Sequence, residues 1–439
     1  MERRIYQKLV EWKNKKDRKP LILNGARQVG KTYILQEFAR KEYAAMAYFS
    51  LDREDSVRNI FNDIHRPEEL LLALSAVRGV DIKPGHTILV LDEIQECPPA
   101  LTALKFFCED IPHLHIAVAG SLLGLSLHGE VSFPVGKVDM LNIYPMSFEE
   151  FLLAMERESM ARLLESRNCS VADSMAEEYI SLLRQYYFVG GMPEAVKAYA
   201  ETHELRLVRS IQQTILQNYR RDFSKHAPLR EVPRINMVWD SIPSQLAKEN
   251  KKFVYGAIRK GARASDYEMA IEWLVDAGLV YKVSRVSKAE MPLKFYEERE
   301  VFKLFMLDVG LFGAMADAPA SAILVGTDIF KEYKGAFTEL YVHNALLQAG
   351  RKIYYYSTPK STLEIDFILQ NGGDICPIEV KAEENVKSKS LRTFVMAHPS
   401  LKGYRISMKG HADQGWMQNL PLYNFLTAFT SDYSDSPES

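Results

Sequence analysis

The stretch that decides the N-terminal fold is Leu21-Ile-Leu-Asn-Gly-Ala-Arg-Gln-Val-Gly-Lys-Thr32. Its first four residues read as a buried strand, Gly25 and Gly30 bound a loop, and a helical pattern runs from Lys31 to about Arg40. Strand, loop and helix in that order, with the spacing GxxxxGK[ST], are what a phosphate-cradling loop requires. Backbone N–H groups of Gly25, Ala26, Arg27, Gln28, Val29 and Gly30 can turn toward an anion, and the helix N-terminus favours negative charge. Lys31 is then placed to reach the terminal phosphates of ATP, and the Thr32 hydroxyl to ligate Mg2+. A plain glycine-rich turn needs neither the lysine nor the threonine.

Working outward, Thr87-Ile-Leu-Val-Leu-Asp-Glu93 places four apolar residues before two acids. Asp92 is expected to hold magnesium, through water, and Glu93 to polarise an attacking water. Alone, the segment would read equally well as a strand ending in two solvated acids. It follows the loop by one extra strand, Met46 to Leu51, and that order matches the ATPase class in which the catalytic glutamate adjoins the aspartate. His115-Ile-Ala-Val-Ala-Gly-Ser121 ends another buried strand on a hydroxyl, so Ser121 is a candidate sensor of the γ-phosphate, although small residues there also simply begin a turn. With Val138 to Ile143, these strands alternate with helix-length segments and predict a parallel sheet.

Taken together, Leu21 to Thr32, Leu91-Asp-Glu-Ile-Gln95, Ala119-Gly-Ser121, Tyr144-Pro-Met-Ser-Phe-Glu149 and Gly190-Gly-Met-Pro193 resemble the AAA-type ATPases of bacteria and archaea that carry a C-terminal domain of unknown function. The resemblance covers most of the chain and implies ATP hydrolysis. Such proteins usually have Gly-Arg where this chain has Gly136-Lys137, and that arginine is a plausible finger on a neighbouring subunit's nucleotide. Lysine lacks the bidentate fork, which leaves ring assembly open; Arg220 and Arg221 are alternatives, as is an exposed helix face.

From Glu149 to about Arg221 the pattern is helical, interrupted at Val189-Gly-Gly-Met-Pro193. Between 237 and 290, Ser265 and Glu268 form a capping box before an apolar helix face, Gly278 can end that helix, and Leu279 to Val286 alternates as a strand. Helices followed by a β-ribbon are the order of a winged helix. DNA contact would fall on Lys282, Arg285 and Lys288 near the wing and on Arg259, Lys260 and Arg263 before the helix; a packing module with a solvated rim explains the same charges. Further on, Glu339, Asp366, Glu379 and Lys381 occur in the order of PD-(D/E)xK nucleases, and the family resembled carries a similar pattern. Glu379 and Lys381 share a strand face, Asp366 can converge from the next strand, and oxygen ligands suit magnesium. Glu339, Asp366 and Glu379 are thus the expected metal ligands, with Glu379 and Lys381 the expected catalytic pair. The competing reading is a nuclease-like scaffold that binds DNA or a regulatory protein without cutting.

The expected architecture is α/β: a P-loop AAA-type parallel-sheet domain over 1–195, a helical lid and winged helix over 196–292, a restriction-endonuclease-like α/β domain over 293–430, and a disordered tail over 431–439. With 439 residues and 47% hydrophobic composition there is material for several cores. The 55 basic and 57 acidic side chains nearly cancel, so no global field draws the chain to nucleic acid or anionic membrane, and any such binding is local. Cys97, Cys108, Cys169 and Cys376 show no metal spacing, and no apolar run is long enough to span a bilayer, which together with the charged N-terminus leads us to expect a cytoplasmic protein.

Overall fold

A computed structural model describes residues 2–64, 66–121, 133–166, 168–248, 251–325, 331–358, 363–382 and 388–429. The tail expected to be disordered, 431–439, lies outside the described residues. The chain divides into two compact units: Met1–Tyr144 with Glu272–Leu279, and Pro145–Ile271 with Val280–Ser439.

The first unit is built on five parallel strands, β1 (Leu21–Asn24), β2 (Ala45–Ser50), β3 (Thr87–Asp92), β4 (His115–Gly120) and β5 (Asp139–Asn142), in the order β2-β3-β4-β1-β5. The strand carrying the phosphate loop, β1, pairs with β4 rather than with β3, so the extra strand read between the two motifs becomes the sheet edge. Buried on both faces, β3 and β4 carry the apolar runs Ile88 to Leu91 and Ile116 to Ala119, as expected of a parallel sheet. Alternation along β4 separates the two layers. Ile116 and Val118 join Phe49, Leu89, Leu91, Phe61, Leu70 and Leu104 in one core with the helices Asp55–Asp63, Pro67–Arg78 and Pro98–Asp110. His115 faces the other way, where it meets Trp12 and Tyr43 beside Phe38 of the helix Lys31–Glu42. Fully buried side chains such as Phe38 and Phe49 each contribute about 1.5–3 kcal/mol of transfer free energy.

In the second unit the helical stretch is resolved into Phe148–Ala154, Glu158–Glu165, Cys169–Ser174, Ala176–Val189, Pro193–Thr202, Leu205–His226 and Val232–Leu246. A capping box does occur, but at Ser147 and Glu150, not at Ser265 and Glu268. The helix Ala264–Asp276 begins one residue before Ser265, and the Asp266 carboxylate accepts the Arg263 N–H at 2.9 Å instead. Two strands follow, β6 (Val280–Val286) and β7 (Glu297–Met306), as an antiparallel ribbon.

That ribbon, expected as a wing, is the edge of a larger sheet. Together with β8 (Ile353–Ser357), β9 (Glu364–Asn371), β10 (Asp374–Val380), β11 (Gly403–Ser407), β12 (Ala412–Asp413) and β13 (Met417–Pro421) it forms eight strands in the order β12-β13-β11-β10-β9-β8-β6-β7. The join is parallel, Arg285 opposite Tyr355 and Val286 opposite Tyr356. Val286, Leu293, Tyr354, Ile365, Ile368, Leu391 and Phe394 share a core with the helix Lys389–Ala397. The helix Lys331–Gln348 lays His343 on Phe305 of β7, ring centroids 4.4 Å apart.

Candidate functional site

The phosphate loop leaves β1 under tight steric control. A Cβ on Gly25 would stand 2.3 Å from the Ile143 carbonyl oxygen, so no larger residue fits there. At the other end Gly30 takes φ +94° as it enters the helix Lys31–Glu42, a left-handed conformation suited to glycine. Gln28, with φ +66°, shares that region without being glycine, a local strain of the kind found at binding loops. Arg3 braces the loop from outside by donating to the Val29 carbonyl at 2.9 Å and to the Tyr144 carbonyl at 2.6 Å.

Lys31 is buried and donates to the Gly25 and Ala26 carbonyls, each at 2.8 Å. Burial lowers its pKa to about 8, while Glu93 and Asp92 oppose that fall. At the end of β3, Asp92 accepts from the Thr32 hydroxyl at 2.7 Å and from the Tyr48 phenol at 2.8 Å, and its second oxygen takes the Glu93 N–H at 3.0 Å. Burial, with Asp92 adding to it, holds the Tyr48 pKa far above the usual range, so the phenol stays a donor. Thr32 and Asp92 therefore present hard oxygen donors side by side, a set that fits magnesium. Glu93, in a left-handed conformation at φ +51°, receives Gln95 Nε2 at 2.6 Å and the Ser121 hydroxyl at 3.1 Å on one oxygen. Thus Lys31, Thr32, Asp92, Glu93 and Ser121, read separately from three segments, come together at the C-terminal ends of β1, β3 and β4.

Sequence reasoning missed Tyr48, Gln95 and Arg3. Gln95 stood inside a quoted motif without a role. Tyr48 carried a periodicity signal, because it alternates with the buried Ala47 and Phe49 and so projects to the other face of β2. Nothing in the sequence marks Arg3.

The arginine-finger alternatives are each engaged within their own unit. Lys137 lies 2.8 Å from Glu109. Arg220 pairs with Asp240 and donates to Asn236, and Arg221 donates to Asn218 at 3.4 Å.

Of the residues read as a nuclease-type set, Asp366 and Glu379 lie on the paired strands β9 and β10, Lys381 directly follows β10, and Glu339 lies on the helix Lys331–Gln348. The Asp366 carboxylate accepts the Val380 N–H at 2.8 Å, and Lys381 lies 2.9 Å from Glu379, so β9 and β10 do bring these together. Glu339 is instead ion-paired with Lys251, and Lys303 of β7 stands 4.0 Å from it and 2.6 Å from Glu364. Burial alone would raise the Glu339 pKa, but Lys251 and Lys303 bring it below its ordinary value; burial and then Glu339 push Asp366 up to about 7. Among the described residues no group of three or more His, Cys, Asp or Glu is placed to hold a metal ion. Of the expected ligand trio Glu339, Asp366 and Glu379, the carboxylate from the helix faces lysines that the motif does not contain.

The charges read as a DNA-binding edge divide in two. Lys282 lies over the Phe302 ring, Arg285 pairs with Glu298 at 2.5 Å, and Lys288 lies over the Tyr296 ring. Arg259, Lys260 and Arg263 are exposed. No helix among the described residues is long and apolar enough to cross a membrane.

Residues 17–152 match the family described as AAA domain, residues 180–322 match a domain of unknown function (DUF8612), and residues 334–425 match a second domain of unknown function (DUF4143). No curated protein matches the chain. Among solved structures, the chain is similar to the Walker-type ATPase PABY2304 of Pyrococcus abyssi, at 13% identity and a TM-score of 0.47, over 72% of this chain and 95% of that one. It is also similar to the RuvB Holliday junction branch migration motor of Thermotoga maritima, at 14% identity and a TM-score of 0.29, over 64% of this chain and 90% of the other. Cdc6p of Pyrobaculum aerophilum gives 11% identity and a TM-score of 0.22, over 70% and 87% of the two chains. The AAA match spans the loop, the Asp92–Glu93 pair and Ser121, and the chain is an ATPase with an AAA-type P-loop core.

Proposed function

We propose that the chain binds ATP on the loop Gly25–Thr32 and hydrolyses it with Glu93 as the residue that orients and polarises the attacking water. The observation that carries this reading is the shared network at the strand ends, in which Thr32 meets Asp92 and Ser121 meets Glu93. Lys31 neutralises charge on the terminal phosphates, and the loop N–H groups fix their position. Magnesium would be held by Thr32 and, through water, Asp92; when bound it supplies charge neutralisation across the phosphates. Ser121 ties the Glu93 carboxylate to the end of β4, which suits it to report whether a γ-phosphate is present.

The second unit is the part on which turnover acts. We place nucleic-acid contact on Arg259, Lys260 and Arg263, whose exposure favours it. A second reading, a signal-transduction switch in which ATP and ADP states re-dock the second unit on a regulatory protein, is favoured by the net charge of −2 and by the internal partners of Lys282, Arg285 and Lys288. ATP turnover measured with and without single-stranded, duplex and branched DNA separates the two. Stimulation that disappears with Lys31→Ala supports the first reading; turnover indifferent to all three DNAs leaves the switch. Absence of turnover in the intact protein, or turnover that persists in Glu93→Gln, overturns the role given to Glu93.

A further inference from the structure

The acidic cluster on β9 and β10 contains two ammonium groups that its sequence motif does not announce. Lys303, in the second half of β7, is fully buried, 2.6 Å from Glu364 and 4.0 Å from Glu339. Lys251 is 8% exposed and pairs directly with Glu339. Its position is built rather than incidental: two residues on, the Phe253 N–H donates to the Phe302 carbonyl at 2.8 Å and the two rings stack at 5.5 Å. The strand that carries Lys303 therefore also anchors the backbone beside Lys251.

Charge arithmetic gives these lysines meaning. Four carboxylates, Glu339, Glu364, Asp366 and Glu379, face three ammonium groups, Lys251, Lys303 and Lys381, and the buried Arg405, opposite Glu379 on β11, adds a fourth positive charge. Buried charges persist only when paired, and here the pairing is supplied from inside the chain. A divalent ion entering this cluster would have to displace Lys251 from Glu339 and would add two positive charges where the carboxylates are already matched by cations. Glu339 and Glu379 nevertheless each keep one buried oxygen without a hydrogen-bond partner, so the donor atoms a cation needs are still present.

We infer that Lys251 is a built-in counter-cation occupying Glu339, so that the Glu339, Asp366 and Glu379 cluster takes no Mg2+ or Mn2+ in the native chain and gains affinity for a divalent cation once Lys251 is removed. The nuclease-like region then works, in the native protein, as a metal-independent scaffold. This inference does not depend on the ATPase reading, because the cluster and the phosphate loop share no residue.

The test is a Mn2+ titration of the full-length protein without added nucleotide, followed by loss of the free-ion electron paramagnetic resonance signal, for the native chain, Lys251→Met and Lys251→Met with Asp366→Asn. A Thr32→Ala background in every arm silences the phosphate loop. The expected result is binding at least about tenfold tighter in Lys251→Met than in the native chain, removed again by Asp366→Asn. Lys251→Gln, which keeps a hydrogen-bond donor toward Glu339, serves if the methionine variant does not fold. Native protein that binds Mn2+ in a manner abolished by Asp366→Asn overturns the proposal, because the lysine would then yield to the metal. So does a folded Lys251 variant, shown by its cooperative thermal transition, that binds no better than native. The native arm decides the first point whatever the variants do.

Discussion

Lys31 touches the carbonyls of its own loop, and that contact sets what can be expected of it. With burial holding its pKa to about 8, the ammonium form prevails below that pH. Phosphates favour the charged form and raise the pKa on binding. Above pH 8 the complex therefore holds one more proton than the free loop, and affinity for ATP should fall as pH rises, by up to about tenfold per unit, while staying flat from pH 6 to 8 as far as Lys31 is concerned. Fluorescent-nucleotide titration across pH 6 to 10 checks this, and Lys31→Ala should bind too weakly to titrate at any pH. Glu93→Gln separates binding from chemistry: affinity is expected to stay within a few-fold of native while turnover drops by about a hundredfold or more. These residues were legible because each role in the loop admits one residue type at one spacing. Their supports were not. Tyr48 and Arg3 reach the site through the fold, and a tyrosine or arginine at such a position has many other uses. Lys251 was equally hidden, since the nuclease-type motif fixes only the carboxylates and one lysine.

The same contrast appears in the elements. Val189-Gly-Gly-Met-Pro193 was readable as a break between helices, and it does separate Ala176–Val189 from Pro193–Thr202. The reason for its glycines was not readable, because it lies in residues far along the chain. A Cβ on Gly191 would stand 2.1 Å from the Met146 carbonyl oxygen, and one on Gly190 would stand 2.3 Å from the Asp308 carboxylate. Gly191→Ala should accordingly destabilise the second unit by about 1–3 kcal/mol, seen as a lower urea midpoint with the slope unchanged. Asp308 holds this junction by accepting the Gly191 N–H at 2.6 Å and the Leu311 N–H at 2.8 Å. Burial still wins over those donors and lifts its pKa from 3.8 to about 6. A carboxyl group with a raised folded pKa binds its proton more tightly when folded, so its contribution is greatest below pH 4 and declines as pH rises through 6. The decline amounts to about 3 kcal/mol. Asp308→Asn lacks that titration. The stability of the native chain relative to the variant should fall by this order between pH 4 and 7 in urea unfolding, and a difference independent of pH would show that burial does not control the group.

For the whole molecule, the first sheet was legible as parallel because its strands alternate with helix-length segments, and its order, with β1 between β4 and β5, comes from the structure. The second sheet was not. Its decisive contact joins Val286 to Tyr356, seventy positions further along the chain, and short alternating strands carry no mark of which distant neighbour they choose. That pairing also bears on partners, since it places the ribbon within a sheet and leaves its three basic residues with partners of their own. With a net charge of −2 there is no global field to compensate, so affinity for DNA must come from a local patch. Arg259, Lys260 and Arg263 offer three phosphate contacts at most. Each contact contributes about −0.9 to the slope of log affinity against log salt, so duplex binding should show a slope no steeper than about −3, well short of the dependence of proteins that grip six or more phosphates. Replacing all three residues with alanine should bring the slope close to zero and weaken binding to unrelated sequences alike, because phosphate contacts carry no base information. Filter binding or fluorescence anisotropy over a salt series reads both quantities. A slope near −6 would place the interface on another surface of the chain, and a triple variant that binds as the native protein does would remove this edge from the DNA-binding reading and leave the regulatory partner as the one the charge distribution supports.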